Sequence, residues 1–83
     1  MDIEAIIREL NRHGVAYGKH YTIGGLGNGI YGIEKMDRFW YSYETENYNS
    51  KTNYNRFDHE EDARAFIIQK AKSAAQSLGV WID

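Results

Sequence analysis

Cysteine and proline are both missing from this chain of 83 residues, and it has neither a long apolar run nor a basic excess. Without cysteine there is no disulfide framework and no thiolate metal site, so the usual supports of small secreted domains are excluded. Without proline, an internal repeat or a linker, nothing divides the chain, and residues 1–83 read as a single domain. No apolar stretch approaches the ~18 residues of a membrane-spanning helix. The opening Met1-Asp2-Ile3-Glu4 is acidic where a secretion signal is basic, so the expected location is cytoplasmic. The net charge of −2 lacks the basic footprint of a protein whose main task is gripping phosphates.

What the chain has in quantity is aromatic surface: seven tyrosines, three phenylalanines and two tryptophans. That is more tyrosine than so small a core easily buries with every hydroxyl satisfied. Acidic residues fall in two groups, Glu44 with Glu46, and Asp58 with Glu60, Glu61 and Asp62. The second group suits the positive end of a helix dipole. The first has no such structural reason.

Periodicity predicts a helix at each end. Ile3, Ile6, Ile7 and Leu10 share one face, Asp2 is a good N-cap, and Gly14 followed by Val15 reads as a glycine stop with Val15 folding back onto Leu10. Near the other terminus, Asp58 and Glu61 have capping-box spacing. Ala63, Phe66, Ile67, Ala71, Ala74 and Leu78 then mark an apolar stripe that Gly79 ends. Its alanines imply close approach to a sheet, with Trp81 and Ile82 packing back as a tail. Between the helices the pattern is β: Tyr21-Thr22-Ile23, then Ile30 to Lys35, then Arg38 to about Tyr48, the last two joined at Met36-Asp37. Thr52 to Phe57 makes a fourth strand after a turn at Asn49-Ser50-Lys51, or else part of residues 45–55 is a mobile loop. In the long strand, Phe39, Tyr41 and Tyr43 share one face and Trp40, Ser42 and Glu44 the other. The expectation is that the Phe39/Tyr41/Tyr43 face meets the helices and that Trp40 is partly covered or points outward. The fold class is α+β, a small antiparallel meander of three to four strands flanked by the two helices on one face.

The residue types for catalysis are present but do not assemble. Gly27 to Gly32 formally spells G-x-G-x-x-G, yet Ile30-Tyr31-Gly32-Ile33-Glu34 behind it is strand-like, whereas a dinucleotide site needs a helix there. A flexible turn explains the glycines. His13, His20 and His59 lack metal-ligand spacing, and no serine has nucleophile-elbow context. The chain reads as a non-enzyme without cofactor or metal. Its most suggestive feature is the run Phe39-Trp40-Tyr41-Ser42-Tyr43-Glu44-Thr45-Glu46-Asn47-Tyr48, with Tyr54 beyond it. Cross-strand aromatic pairing explains part of this run, and a recognition surface explains the rest. A nucleic-acid module that stacks bases on sheet aromatics is the alternative, with Lys35, Arg38, Lys51 and Arg56 nearby but Glu34, Glu44 and Glu46 among them.

Two segments resemble the small immunity proteins of bacterial polymorphic-toxin and contact-dependent growth inhibition systems, in particular the immunity protein 59 type. They are the aromatic strand Phe39-Trp40-Tyr41-Ser42-Tyr43-Glu44 and the helix start Phe57-Asp58-His59-Glu60-Glu61-Asp62-Ala63. Phe57, Glu60, Asp62 and Ala63 match the F-x-x-E-x-E-A helix start of that type, with Asp62 in place of a glutamate. Glu44 matches the head of its Glu-Arg-Gly motif, where this chain continues Thr45-Glu46-Asn47. The likeness covers about residues 20–68. It implies a binding protein that neutralises a cognate toxin domain, a nuclease in the typical case, through an acidic tyrosine-rich surface. An acidic surface complements a basic nucleic-acid cleft and speeds encounter. The contact residues expected on that basis are Tyr43, Glu44, Glu46, Tyr48 and Tyr54.

Overall fold

The first helix, α1 (Ile3–Arg12), forms as its spacing predicts. The Asp2 carboxylate accepts the Ala5 N–H at 3.0 Å, and Gly14 takes φ +83° to end the helix. The Val15 N–H returns to the Leu10 carbonyl, and Ile6, Leu10 and Val15 are all buried. The computed structural model describes residues 1–83 and places four strands after α1: β1 (Thr22–Ile23), β2 (Tyr31–Met36), β3 (Phe39–Glu46) and β4 (Ser50–Phe57). The second helix, α2 (Glu60–Ser77), closes the chain.

The strands form one sheet in the order β1-β2-β3-β4. β2, β3 and β4 pair antiparallel, but β1 runs parallel to β2, with Thr22 opposite Gly32 and Ile23 opposite Ile33. The sheet is therefore mixed, not a pure meander. The reason is the glycine-rich stretch between Ile23 and Tyr31, which is a return loop and not a hairpin turn. Residues 45–55 resolve as strand apart from a turn at residues 47–49: β3 and β4 are one hairpin, and its turn begins two residues earlier than the Asn49-Ser50-Lys51 expected from composition.

α2 lies across β2, β3 and β4 and also contacts α1. Its buried row is Ala63, Ile67, Ala71 and Ala75, in steps of four, so the stripe drifts away from Ala74 and Leu78. Leu78 is the C-cap and lies exposed. The start of α2 also departs from the capping-box expectation. His59, not Asp58, is the N-cap and makes no side-chain cap bond; the Asp58 carboxylate accepts from the Arg56 guanidinium at 3.3 Å. The first-turn acids remain where the dipole favours them. Glu60 pairs with the N-terminal ammonium at 2.8 Å and accepts the Trp40 indole N–H at 3.2 Å. The ammonium is the main reason that this carboxyl titrates below its ordinary range.

The buried side of β3 is the reverse of the one anticipated. Trp40 is 8% exposed and joins Ile6, Leu10, Tyr21, Ile33, Ala63 and Ile67 in the core. Phe39, Tyr41 and Tyr43 therefore point to the face that carries no helix. Both faces of this strand bear aromatics, so alternation alone could not choose. The sorting comes from the neighbours, since Ile33 pairs opposite Ser42 and Phe57 opposite Trp40.

Candidate functional site

The helix-free face of the sheet is built from Glu34, Met36, Phe39, Tyr41, Tyr43, Lys51, Tyr54 and Arg56, all of which follow from the register and the alternation of β2, β3 and β4. A β-bulge makes this grouping possible. Ser42 pairs with Asn55 and Glu44 with Thr52, so Asn53 and Tyr54 together stand opposite Tyr43, and Asn53 sits at φ +57°. Without that extra residue, Lys51 and Tyr54, three apart, would point to opposite faces. With it, both converge on Glu34. The Lys51 ammonium reaches the Glu34 carboxylate at 2.9 Å and the Tyr54 hydroxyl donates to it at 2.7 Å.

Tyr43 lies beneath this group and is only 1% exposed. Its ring rests on Gly32, its cross-strand partner, where a Cβ would collide with the ring. Its hydroxyl donates to the Gly25 carbonyl at 2.7 Å, Lys51 lies over the ring, and Tyr54 leans on it with centroids 5.7 Å apart. Burial, reinforced by the nearby Glu34 charge, pushes the Tyr43 phenol far above its usual value. Tyr43 is therefore a support for the surface and not an accessible contact residue, which corrects that sequence-level expectation.

Tyr54 is 41% exposed, and its phenol is raised to about 12, first by desolvation and then by the hydrogen bond to Glu34. Tyr41 packs edge-on against it, and Arg56 lies over the Phe39 ring with its guanidinium carbon 4.6 Å from the centroid. Met36 adds exposed apolar surface. The charges on this face are Glu34, Lys51 and Arg56, and the first two neutralise each other. The face is aromatic and carries no acidic excess.

The two glutamates lie elsewhere. Glu44 and Glu46 share the side of Trp40 and Ser42 in the alternation of β3. Glu44 pairs opposite Tyr31, whose ring meets Phe66 of α2 edge-on, and accepts from the Asn53 amide at 2.7 Å. Glu46 is exposed at the end of the strand. The expected single surface of acids and tyrosines thus divides: tyrosines on one side of the hairpin, acids on the other, and Tyr48 at the tip between them.

That tip has a firm geometry. Asn47 and Tyr48 both adopt positive φ, +53° and +60°, the pairing demanded by a tight primed turn. For Tyr48 this backbone is costly, since bulky side chains rarely enter the left-handed region. The turn is held from outside: the Tyr48 N–H donates to the Gly27 carbonyl at 2.8 Å and the Asn47 N–H to the Asn28 side-chain oxygen at 3.1 Å. The same loop is stitched to β3, with Gly29 donating to the Thr45 carbonyl and the Thr45 hydroxyl bridging to Ile30. The formal G-x-G-x-x-G thus leads into strand β2, and part of it serves as a brace for the hairpin tip. The Tyr48 side chain itself is 67% exposed.

The histidines do not converge. His13 stacks on Trp81 at 4.3 Å and donates to the Ile82 carbonyl, docking the C-terminal tail on the end of α1. His20 is buried and His59 exposed at the start of α2. No three of the His, Asp and Glu side chains group so as to hold a metal ion, and no helix is long and apolar enough to cross a membrane. Phe39 and Tyr41 were missed as surface residues because their face was assigned to the core; the bulge that gathers them with Tyr54 leaves only Asn53 as its sequence signal. No protein-family model, no curated protein and no solved structure matches the chain.

Proposed function

We propose that this chain is a binding protein that neutralises a cognate bacterial toxin domain, a nuclease in the favoured case, with the β3–β4 hairpin as its recognition element. The observation that carries the reading is Tyr48: a largely exposed aromatic held in an unfavourable backbone conformation by a loop that braces it. Strain maintained by surrounding structure is concentrated where a side chain must be presented in one fixed pose. A tyrosine fixed before contact loses little entropy on docking, which is how preorganised anchors gain affinity. Glu46 beside it, and Glu44 one step further, supply negative potential for a basic cleft. Tyr54 and Tyr41 extend the contact along the helix-free face. The protein acts by occupation, and no catalytic role falls to its side chains.

The test uses the toxin domain encoded beside this chain in its genome. Co-expression should protect cells from that domain, and calorimetry should give a tight one-to-one complex. Tyr48→Ala and the Glu44→Ala/Glu46→Ala pair should each weaken it by about tenfold or more. An absence of protection sinks the reading. Protection with unchanged affinity in both variants keeps the function and rejects the tip.

A second reading is favoured by the helix-free face itself. Phe39, Tyr41 and Tyr54 share this face with Arg56 among them, and Glu44 and Glu46 are not on that side, so bases could stack there. It predicts single-stranded oligonucleotide binding that falls steeply with salt and is lost in Arg56→Ala and Tyr41→Ala but kept in Tyr48→Ala.

A further inference from the structure

Two segments far apart in sequence build one end of the sheet: the glycine-rich stretch 24–30, and residues 44–50 around the β3–β4 turn. Most of the first segment is fastened from outside. The Gly24 carbonyl accepts from the Lys51 ammonium at 2.9 Å, and the Gly25 carbonyl from the Tyr43 hydroxyl at 2.7 Å. The Gly27 carbonyl accepts the Tyr48 N–H at 2.8 Å, and the Asn28 side chain the Asn47 N–H at 3.1 Å. The Gly29 N–H reaches the Thr45 carbonyl at 2.9 Å. Gly27 is itself buried, with the Ile30 side chain where a Cβ would stand.

Leu26 stands in the middle of this fastened loop and is 46% exposed. A single exposed leucine is ordinary, and Leu78 at the end of α2 is more exposed still. What distinguishes Leu26 is its setting. The carbonyls of both its neighbours, Gly25 and Gly27, are anchored, so its backbone is held while its side chain stays in solvent. The residue after it bonds Tyr48, which by standard backbone dimensions keeps the Leu26 and Tyr48 Cα atoms within about 11 Å. Two exposed apolar side chains therefore belong to one braced unit. The charge around them has one sign. Residues 24–30 and 44–50 contain Glu44 and Glu46 and no lysine or arginine. Lys51, next along the chain, is drawn to the helix-free face by Glu34.

We propose that Leu26 and Tyr48 are two prongs of one contact, and that they fit an apolar recess bordered by lysine or arginine side chains on the toxin domain. This inference rests on the toxin-binding reading and extends the recognition element from the hairpin alone to hairpin and loop together. The prongs form the centre from which water is excluded, where truncation of a side chain costs most affinity. Glu44 and Glu46 form the rim and govern the rate of encounter. Asn28 is a positioning residue that acts through Asn47, whose N–H it holds. Bracing before contact leaves few groups to be ordered on docking.

The experiment follows association and dissociation of the full chain with the toxin domain encoded beside it, by surface plasmon resonance at several salt concentrations. Leu26→Ala should raise the dissociation rate about tenfold and leave the association rate and its salt dependence unchanged. The Glu44→Ala/Glu46→Ala pair should instead slow association and flatten its salt dependence. Leu78→Ala, which trims an exposed leucine outside this unit, should change neither rate. Asn28→Ala should speed dissociation, and Asn28→Asp, which keeps the accepting oxygen, should restore the original rate. If the unaltered chain forms no complex, the toxin-binding reading fails and this inference with it. If the complex forms, three results overturn the inference and spare the reading: Leu26→Ala dissociates at the original rate, Leu78→Ala loses as much, or Asn28→Ala and Asn28→Asp behave alike.

Discussion

The two faces of the sheet bury aromatic residues by different means. On the covered face Trp40 is enclosed by distant parts of the chain: α2 crosses it, and the core around it draws on α1, β2 and α2 together. On the other face Tyr43 is enclosed even more completely, without any helix. Its own sheet supplies the cover, with Gly32 as floor, Gly25 receiving its hydroxyl, and Lys51 and Tyr54 as roof. The first is ordinary hydrophobic burial, in which stability scales with apolar area removed from water. The second is a local polar and aromatic arrangement that leaves its outer layer, Tyr54 and Tyr41, able to meet a partner.

The sharpest way to break this comparison is to cut into each face in turn. Ile67→Ala, on the buried row of α2, should cost about 2–5 kcal/mol in denaturant unfolding, as large-to-small core changes do. Tyr41→Ala on the helix-free face should cost about 1 kcal/mol or less, the worth of one cross-strand pair. Equal losses would show that the second face is also core. Next in size is Gly32→Ala, whose Cβ meets the buried Tyr43 ring. Overpacking predicts a loss of about 1–3 kcal/mol, with a changed tyrosine signal in near-ultraviolet circular dichroism. An unaltered spectrum and stability would mean that the ring moves freely.

A smaller effect separates the faces by pH. The Tyr54 phenol is raised from 10.0 to about 12, so its contribution to stability is complete below pH 10 and is lost as pH climbs through the folded value. Phenolate absorbance in Glu34→Gln should show one tyrosine titrating earlier, because the carboxylate that accepts its proton is gone. No movement would place the Tyr54 hydroxyl elsewhere. The smallest change concerns the covered face. Tyr21 is fully buried with no partner for its hydroxyl, and desolvation raises its phenol to about 12. Tyr21→Phe should therefore be neutral or slightly stabilising in thermal unfolding. A loss above about 1 kcal/mol would reveal a bound water that satisfies the hydroxyl.

Local signals carried much of the fold. The Asp2 cap, the Gly14 and Gly79 stops and the strand at β2 were legible because each depends on residues adjacent in sequence or on one helical period, whereas composition left β4 open between a strand and a loop. The candidate site was legible in its ingredients and not in its arrangement. Tyr48, Glu46 and Tyr54 are exposed as expected, but Tyr43 is underneath and Glu44 on the other side. Strand alternation fixes which residues share a face, and says nothing about which face a helix will cover when both are aromatic.

The amino-acid order alone determined the α+β class, the course of α1 and the end of α2, since these follow from periodicity and from glycine at positive φ. Three things were decided only by tertiary structure: the parallel pairing of β1, the choice of Trp40 over Tyr43 for the helix side, and the bulge at Asn53 that brings Lys51 and Tyr54 onto Glu34. Each depends on contacts between residues far apart in the chain, where the competing arrangements have nearly equal local preference and packing settles the difference.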